Sequence, residues 1–194
     1  MHDVKYAMET IIRHAKRASD SLDEKQVDEL IELVTNSKRV FVVGAGRSGL
    51  VVKSFAMRLM HLNFDVHVIG ETVTPGMVKG DLLLAVSGSG ETTFAVNTAE
   101  AAKEVGAKVA AVTSYANSSL GKFADTLVIL PGRVEVSDER SYLDRQISGE
   151  YESLTPMGTL FEVGAMVFLD SVIACLMKKL GAKEEDMRAR HATV

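Results

Sequence analysis

The sequence predicts an α/β fold, a doubly wound five-stranded parallel sheet in the flavodoxin-like order 2-1-3-4-5, flanked by helices. The first observation is a set of five short apolar runs rich in β-branched residues, most with little apolar/polar alternation. Such runs are typical of strands buried on both faces of a parallel sheet. The second observation is that helical segments separate most of these runs, and alternating β and α units favour parallel strands with right-handed crossovers.

Two helices are expected before the sheet, the first over residues 4–19 and the second ending near residue 36, because apolar residues recur there at helical spacing. The predicted strands are 40–43, 66–69, 82–86, 109–112 and 126–130, and the helices between them are about 50–62, 91–105 and 117–123. Residues 131–155 are charged and aperiodic, which predicts a loop. A long helix (156 to about 180) and a short one ending near residue 191 complete a single domain spanning residues 1–194.

Composition narrows the class of protein. The net charge is -4 without a basic cluster, which argues against a nucleic-acid partner. The single cysteine, Cys175, fits a reducing compartment and is expected to be a small core side chain. The N-terminus shows no apolar signal-peptide core, and the most apolar stretch, 163–177, is interrupted by Asp170. We therefore expect a soluble cytoplasmic domain without a membrane partner.

A first glycine-rich turn, Gly44-Ala-Gly46-Arg-Ser-Gly49, follows the first predicted strand and opens a helix. Glycines allow tight turns and close backbone approach, and a helix N-terminus attracts phosphate. This pattern alone is compatible with a dinucleotide site, in which Glu71 would take the place of the ribose-binding acid, or with a purely structural turn.

A second turn follows the third strand and consists of Ser87, Gly88, Ser89, Gly90, Glu91, Thr92 and Thr93. Hydroxyls and bare backbone N–H groups at a helix start suit a terminal phosphate monoester. Strands one and three are neighbours in the predicted order, so both turns should face one crevice at the carboxyl ends of the strands. The alternative is that the hydroxyls only cap the helix.

Six segments together resemble the sugar isomerase (SIS) domain family: VGAGRSG, SFAMRLMHL, VIGETVTP, SGSGET, PMGTLFE and RHATV. Within that family, AMRLMHL and PMGTLFE resemble the 6-phospho-3-hexuloisomerases most specifically. The resemblance runs from about residue 30 to the C-terminus. Two features depart from it: Asn63 stands where the family pattern has glycine, and the 131–155 loop is longer and more charged.

The resemblance implies interconversion of D-arabino-hex-3-ulose 6-phosphate and D-fructose 6-phosphate through a cis-enediol. A base must then carry a proton between C2 and C3, and no redox cofactor or metal is required. The five histidines, at positions 2, 14, 61, 67 and 191, lack a metal-ligand spacing. The expected partner is a small sugar phosphate.

Glu162 is the candidate base, because the family motif places a glutamate there and a lone carboxylate enters an otherwise apolar helix. The residue pattern alone leaves a second role open, since Thr159 and Glu162 also match a capping box. The resemblance makes His61 and His191 further catalytic candidates. His61 also fits a polar, solvated stripe, and His191 a solvated tail. Arg47 and Ser48 are expected to bind sugar hydroxyls.

Other functions compatible with the sequence are an SIS isomerase for heptose or arabinose phosphates, a non-catalytic sugar-phosphate sensor, and a nucleotide-binding oxidoreductase. Few residues precede the first strand, which argues against the DNA-binding domain of a sensor. The 156–180 helix is apolar around most of its circumference, so a homo-oligomer, most simply a tetramer, is expected.

Overall fold

Five strands form one parallel sheet in the computed structural model, which describes residues 2–132 and 158–191. The strands are β1 (Val40–Gly44), β2 (Val66–Val68), β3 (Leu82–Val86), β4 (Lys108–Thr113) and β5 (Thr126–Ile129). Their order in the sheet is β2-β1-β3-β4-β5, which confirms the predicted topology. Apart from Pro131 and Gly132, the predicted 131–155 loop lies outside the described residues.

The two faces of the sheet are covered by different elements. The α-helices are α1 (His2–Asp20), α2 (Glu24–Asn36), α3 (Gly46–His61), α4 (Thr93–Glu104), α5 (Thr159–Leu180) and α6 (Glu184–Arg188). Side chains from alternate strand positions pack with α2, α3 and α5 on one face, and the others pack with α4 on the opposite face. Helix α1 lies over α5 as an outer layer.

The predicted helix at 117–123 is wrong. A three-residue 3-10 turn, Gly121–Phe123, is all that forms there. Ser118 Oγ accepts a hydrogen bond from the backbone N–H of Gly121 at 3.2 Å, so a serine side chain competes with helical pairing of the backbone.

Helix α5 is long and apolar enough to cross a membrane by length and composition, yet half of its most apolar window is buried inside the fold. Its outer face is mixed, because Asp170, Ser171 and Lys178 are exposed there together with Val167 and Ala174. Cys175 is also exposed, so its assignment to the core is wrong. We therefore interpret α5 as a core helix with one exposed face of mixed polarity.

Asn63 follows the end of α3 and has a φ of 71°, in the left-handed region. Asparagine is one of the few non-glycine residues that adopt this conformation readily. Backbone bonds from Asn63 N to Met60 O (3.0 Å) and from Phe64 N to Leu59 O (3.0 Å) close the helix end. The departure from the family's glycine therefore keeps the turn.

Candidate active site

The first glycine-rich turn is tight because its backbone approaches itself closely. A Cβ placed on Gly44 would lie 2.8 Å from the backbone carbonyl of Ser48, so only glycine fits. Ala45 precedes α3 and supplies no capping side chain. The first N–H groups of a helix have no intrahelical acceptor, so this turn points open donors into the crevice. Arg47 is exposed and Ser48 half-buried in the first helical turn.

The second turn is organised by its own hydroxyls. Ser87 is buried, and its Oγ accepts a hydrogen bond from Gly90 N at 3.1 Å and lies 3.0 Å from Thr92 Oγ1. Ser89 is exposed and its Oγ accepts from Glu91 N at 3.2 Å. Thr92 is the residue before α4, and its side chain makes no capping hydrogen bond. The interpretation of these hydroxyls as helix caps is therefore wrong, and the first turn of α4, which starts at Thr93, keeps open donors.

Both turns lie at the same edge of the sheet. Gly44, the last residue of β1, is in register with Val86, the last residue of β3. The strands are parallel and adjacent, so the turns that follow them form two walls of one crevice at the carboxyl ends of the strands. The structure thus brings the two glycine-rich turns together as predicted.

The N-terminus of α5 forms the third wall. The Phe161 ring packs against the second turn, since a Cβ on Gly88 would lie 3.0 Å from Phe161 Cδ1. Next to it, the Glu162 carboxylate pairs with Nε of Arg47 from the first turn. The Glu162 side chain is 15% exposed and that of Arg47 is 62% exposed, so the carboxylate is the sheltered member of this pair.

Thr159 and Glu162 do not form the capping box that their spacing allows. Gly158 is the N-cap residue and Thr159 is already the first residue of α5, so Thr159 does not occupy the capping position. The backbone N–H of Glu162 donates to Gly158 O at 3.0 Å as an ordinary helical bond. The carboxylate is consequently available to the crevice and is held there by Arg47.

Comparison with known proteins identifies the family of this chain. A family model described as the SIS domain matches residues 33–148. This chain belongs to the SIS domain family. The resemblance predicted from the sequence segments is confirmed.

Individual relatives of this SIS domain cover its whole length. An uncharacterized protein of Aeropyrum pernix is 49% identical over 197 residues, covering 100% of this chain and 93% of that protein. A 3-hexulose-6-phosphate isomerase of Bacillus subtilis is 39% identical over 194 residues, covering 100% of both. A solved structure from Methanococcus jannaschii, a hypothetical protein whose structure infers the function of 3-hexulose-6-phosphate isomerase, is 35% identical with a TM-score of 0.75. That match covers 100% of this chain and 99% of that one.

The SIS domain separates the two candidate histidines from Glu162. His61 ends the 16-residue helix α3, which begins at the crevice and carries it roughly 22 Å away along the helix axis. The rings of His61 and His191 lie 5.3 Å apart at that far end. His61 is buried rather than solvated, which overturns the solvated-stripe interpretation. Burial lowers the pKa of His61, and the charges of His191 and Arg58 act in the same direction.

Glu71, the acid that a dinucleotide site would use, is engaged elsewhere. Its carboxylate Oε1 lies 2.6 Å from Lys53 Nζ of α3, and both side chains are about half exposed. Glu71 thus forms an ion pair on the surface of α3, which accounts for this residue without a role in binding a ribose.

Ser114 also lies beside the second turn, and sequence reasoning missed it. It follows β4 at the same sheet edge, and its backbone N–H donates to Gly88 O at 3.1 Å. Its buried Oγ has no hydrogen-bond partner among residues 2–132 and 158–191. A Cβ on Gly132 would lie 2.6 Å from this Oγ, so the hydroxyl lies between the ends of β4 and β5. The sequence does contain an indication of Ser114, because this serine directly follows β4 as Ser87 directly follows β3.

Proposed function

We propose that this SIS domain is a 3-hexulose-6-phosphate isomerase, which interconverts D-arabino-hex-3-ulose 6-phosphate and D-fructose 6-phosphate in the cytoplasm as a step of the ribulose-monophosphate pathway. The observation that carries the proposal is the Glu162–Arg47 pair, which sets a sheltered carboxylate beside two glycine-rich turns. The names of the full-length relatives support the same sugar.

The phosphate group binds at the second turn in this proposal. The exposed Ser89 hydroxyl and the uncapped first turn of α4 supply hydrogen-bond donors, and the helix dipole favours a dianion at that end. Ser87 and Thr92 hold the turn through their mutual contact. With the phosphate fixed there, the sugar extends toward Arg47, Ser48 and Glu162.

Glu162 then carries the proton. Isomerisation moves the carbonyl between C3 and C2. The carboxylate takes the proton from C2 and returns it to C3, while through the cis-enediol the hydroxyl proton of O2 is lost and O3 gains one, so that no net proton is consumed. The negative charge that develops on the substrate oxygens lies next to the Arg47 guanidinium, which is placed before the reaction begins. Arg47 thus orients the base and stabilises the enediolate.

Ser89→Ala is expected to weaken substrate and inorganic phosphate binding together. A hydrogen bond to a charged group contributes about 1.5–3 kcal/mol, so KM and the inhibition constant of phosphate should rise about 10- to 100-fold. Ser171→Ala, on the outer face of α5 with its hydroxyl bonded to Val167 O, is the matched control and should change neither constant. Unchanged phosphate inhibition in Ser89→Ala would place the phosphate elsewhere.

His61 and His191 take part only if a neighbouring copy presents them, because the fold sets them far from Glu162 of their own chain. The outer layer of the fold offers a surface for such copies. Val4, Met8 and Ile12 form an exposed apolar stripe at a spacing of four on α1, and Leu50 is exposed at the start of α3. Exposed apolar side chains in this arrangement favour association, and we propose a tetramer.

Light scattering at micromolar concentration is expected to give the mass of a homo-oligomer. Replacing Met8 and Ile12 by Glu should lower that mass, because two charges would then lie in the apolar stripe. Thr10→Glu is not a suitable control, since Thr10 Oγ1 donates to Tyr6 O, and Lys16 pairs with Asp20. Arg17→Glu on the same helix is exposed, lies off the stripe and serves that purpose. A monomeric mass of the unaltered protein would refute the proposal of a tetramer.

A coupled assay tests the function directly. The protein is supplied with hexulose 6-phosphate, and fructose 6-phosphate is detected as it forms. Turnover supports the proposal. Turnover of arabinose or heptose phosphates instead would identify another isomerase, and tight binding without any turnover would identify a sensor.

A further inference from the structure

Glu91 is an unexpected residue for a phosphate-binding turn. It lies between Ser89 and Thr92 and is exposed, yet a carboxylate beside a bound phosphate dianion would repel it. The structure shows how this conflict is avoided. The Glu91 side chain reaches the segment that follows β4, where its Oε1 accepts a hydrogen bond from the backbone N–H of Ser119 at 2.7 Å.

The carboxylate is held as an anion in that position. Hydrogen bonds from Ser119 keep the pKa of Glu91 below its ordinary value, and the charge of Lys122 adds to this effect against a partial opposing effect of burial. We call the segment between β4 and β5 the β4–β5 loop (residues 114–125). The Glu91 carboxylate is therefore hydrogen-bonded to this loop.

Other contacts join the same two segments. Leu120 N donates to Gly90 O at 2.9 Å, and Ser114 N donates to Gly88 O at 3.1 Å. These are backbone bonds, and they do not involve the Glu91 side chain. Glu91 supplies the one side-chain bond between the second turn and the backbone of residues 115–120 that the described chain contains.

We propose that Glu91 is a positioning residue that ties the second turn to the β4–β5 loop and thereby fixes the turn in the conformation that binds a phosphate monoester. The proposal rests on the proposed function for the identity of the substrate. It assigns Glu91 no contact with the sugar, which differs from the sequence-based expectation that this residue binds substrate.

The test uses Glu91→Ala and Glu91→Gln, with Glu100→Ala on the exposed side of α4 as the matched loss of one carboxylate. Binding of inorganic phosphate is measured by calorimetry, and KM and kcat by the coupled assay. Glu91→Ala should weaken phosphate binding and raise KM by the same factor, about 10- to 100-fold, with a much smaller fall in kcat. Glu91→Gln should recover most of the affinity, because its amide oxygen still accepts from Ser119 N.

Three outcomes would overturn the proposal. A rise in KM with unchanged affinity for inorganic phosphate would mean that Glu91 contacts the sugar part of the substrate, because inorganic phosphate has no sugar. Tighter phosphate binding in Glu91→Ala would mean that charge repulsion outweighs positioning. A lower melting temperature with unchanged affinity would mean a purely structural role. The calorimetric measurement needs no turnover, so it remains decisive even if the protein isomerises another sugar.

Discussion

Glu162→Gln is expected to lower kcat by about 10²- to 10⁴-fold, the contribution typical of a general base. Glutamine keeps the shape of the side chain and can still accept a hydrogen bond from Arg47, but it cannot take a proton from carbon. Stability should change little, because Arg47 is largely exposed and such ion pairs contribute about 0–1 kcal/mol. Inorganic phosphate should bind normally, since its proposed site lies on the second turn.

The matched control is Asp170→Asn, which removes an exposed carboxylate from the same helix. It should leave kcat, phosphate affinity and melting temperature unchanged. Near-normal turnover of Glu162→Gln would remove this residue as the base. The next variant to measure would then be His61→Asn, combined with the mass of the assembly.

Gly90→Ala is expected to destabilise the fold and weaken phosphate binding at once. Gly90 has a φ of 66°, which costs a side-chain-bearing residue about 1–2 kcal/mol. Its added Cβ would also overlap Oγ and Cβ of the buried Ser118 and lie 2.9 Å from Thr113 Oγ1. Overpacking of this kind costs about 1–3 kcal/mol more, so the free energy of unfolding should fall by roughly 2–5 kcal/mol.

Gly181→Ala separates these two contributions. Gly181 has a φ of 65° at the C-terminus of α5, and a Cβ there meets no atom within 4 Å. Chemical denaturation of both variants should therefore show the conformational cost alone in Gly181→Ala and the additional clash in Gly90→Ala. Equal losses in the two variants would contradict the tight packing of the second turn against Ser118.

The strands and their order could be predicted from the sequence, because buried parallel strands leave unbroken β-branched runs and the connections are short. The crevice could be predicted too, since two glycine-rich turns that follow neighbouring parallel strands must meet at one edge. The remoteness of His61 was also accessible to sequence reasoning. A helix that starts at the carboxyl edge of the sheet and runs back along it ends at the opposite edge.

The contacts and exposure of individual side chains could not be predicted, because they depend on how the elements pack in three dimensions. The spacing of Thr159 and Glu162 fits a capping box, and only the position of Gly158 as the N-cap residue shows that none forms. The sequence places Glu91 among the expected ligand contacts, whereas the structure shows its carboxylate bonded to Ser119 N. Cys175 has apolar sequence neighbours, and its exposure follows from which face of α5 packs inward.

Arg47 and Glu162 are 115 positions apart in the chain. During synthesis at about 5–20 residues per second, the first turn leaves the ribosome on the order of ten seconds before the helix that carries the proposed base. A nascent chain that already holds both glycine-rich turns therefore lacks the Glu162 carboxylate. If Glu162 is the base as proposed, turnover begins only after α5 has docked. We expect recovery of activity on refolding to report this last docking step, and to lag behind the recovery of strand and helix signals.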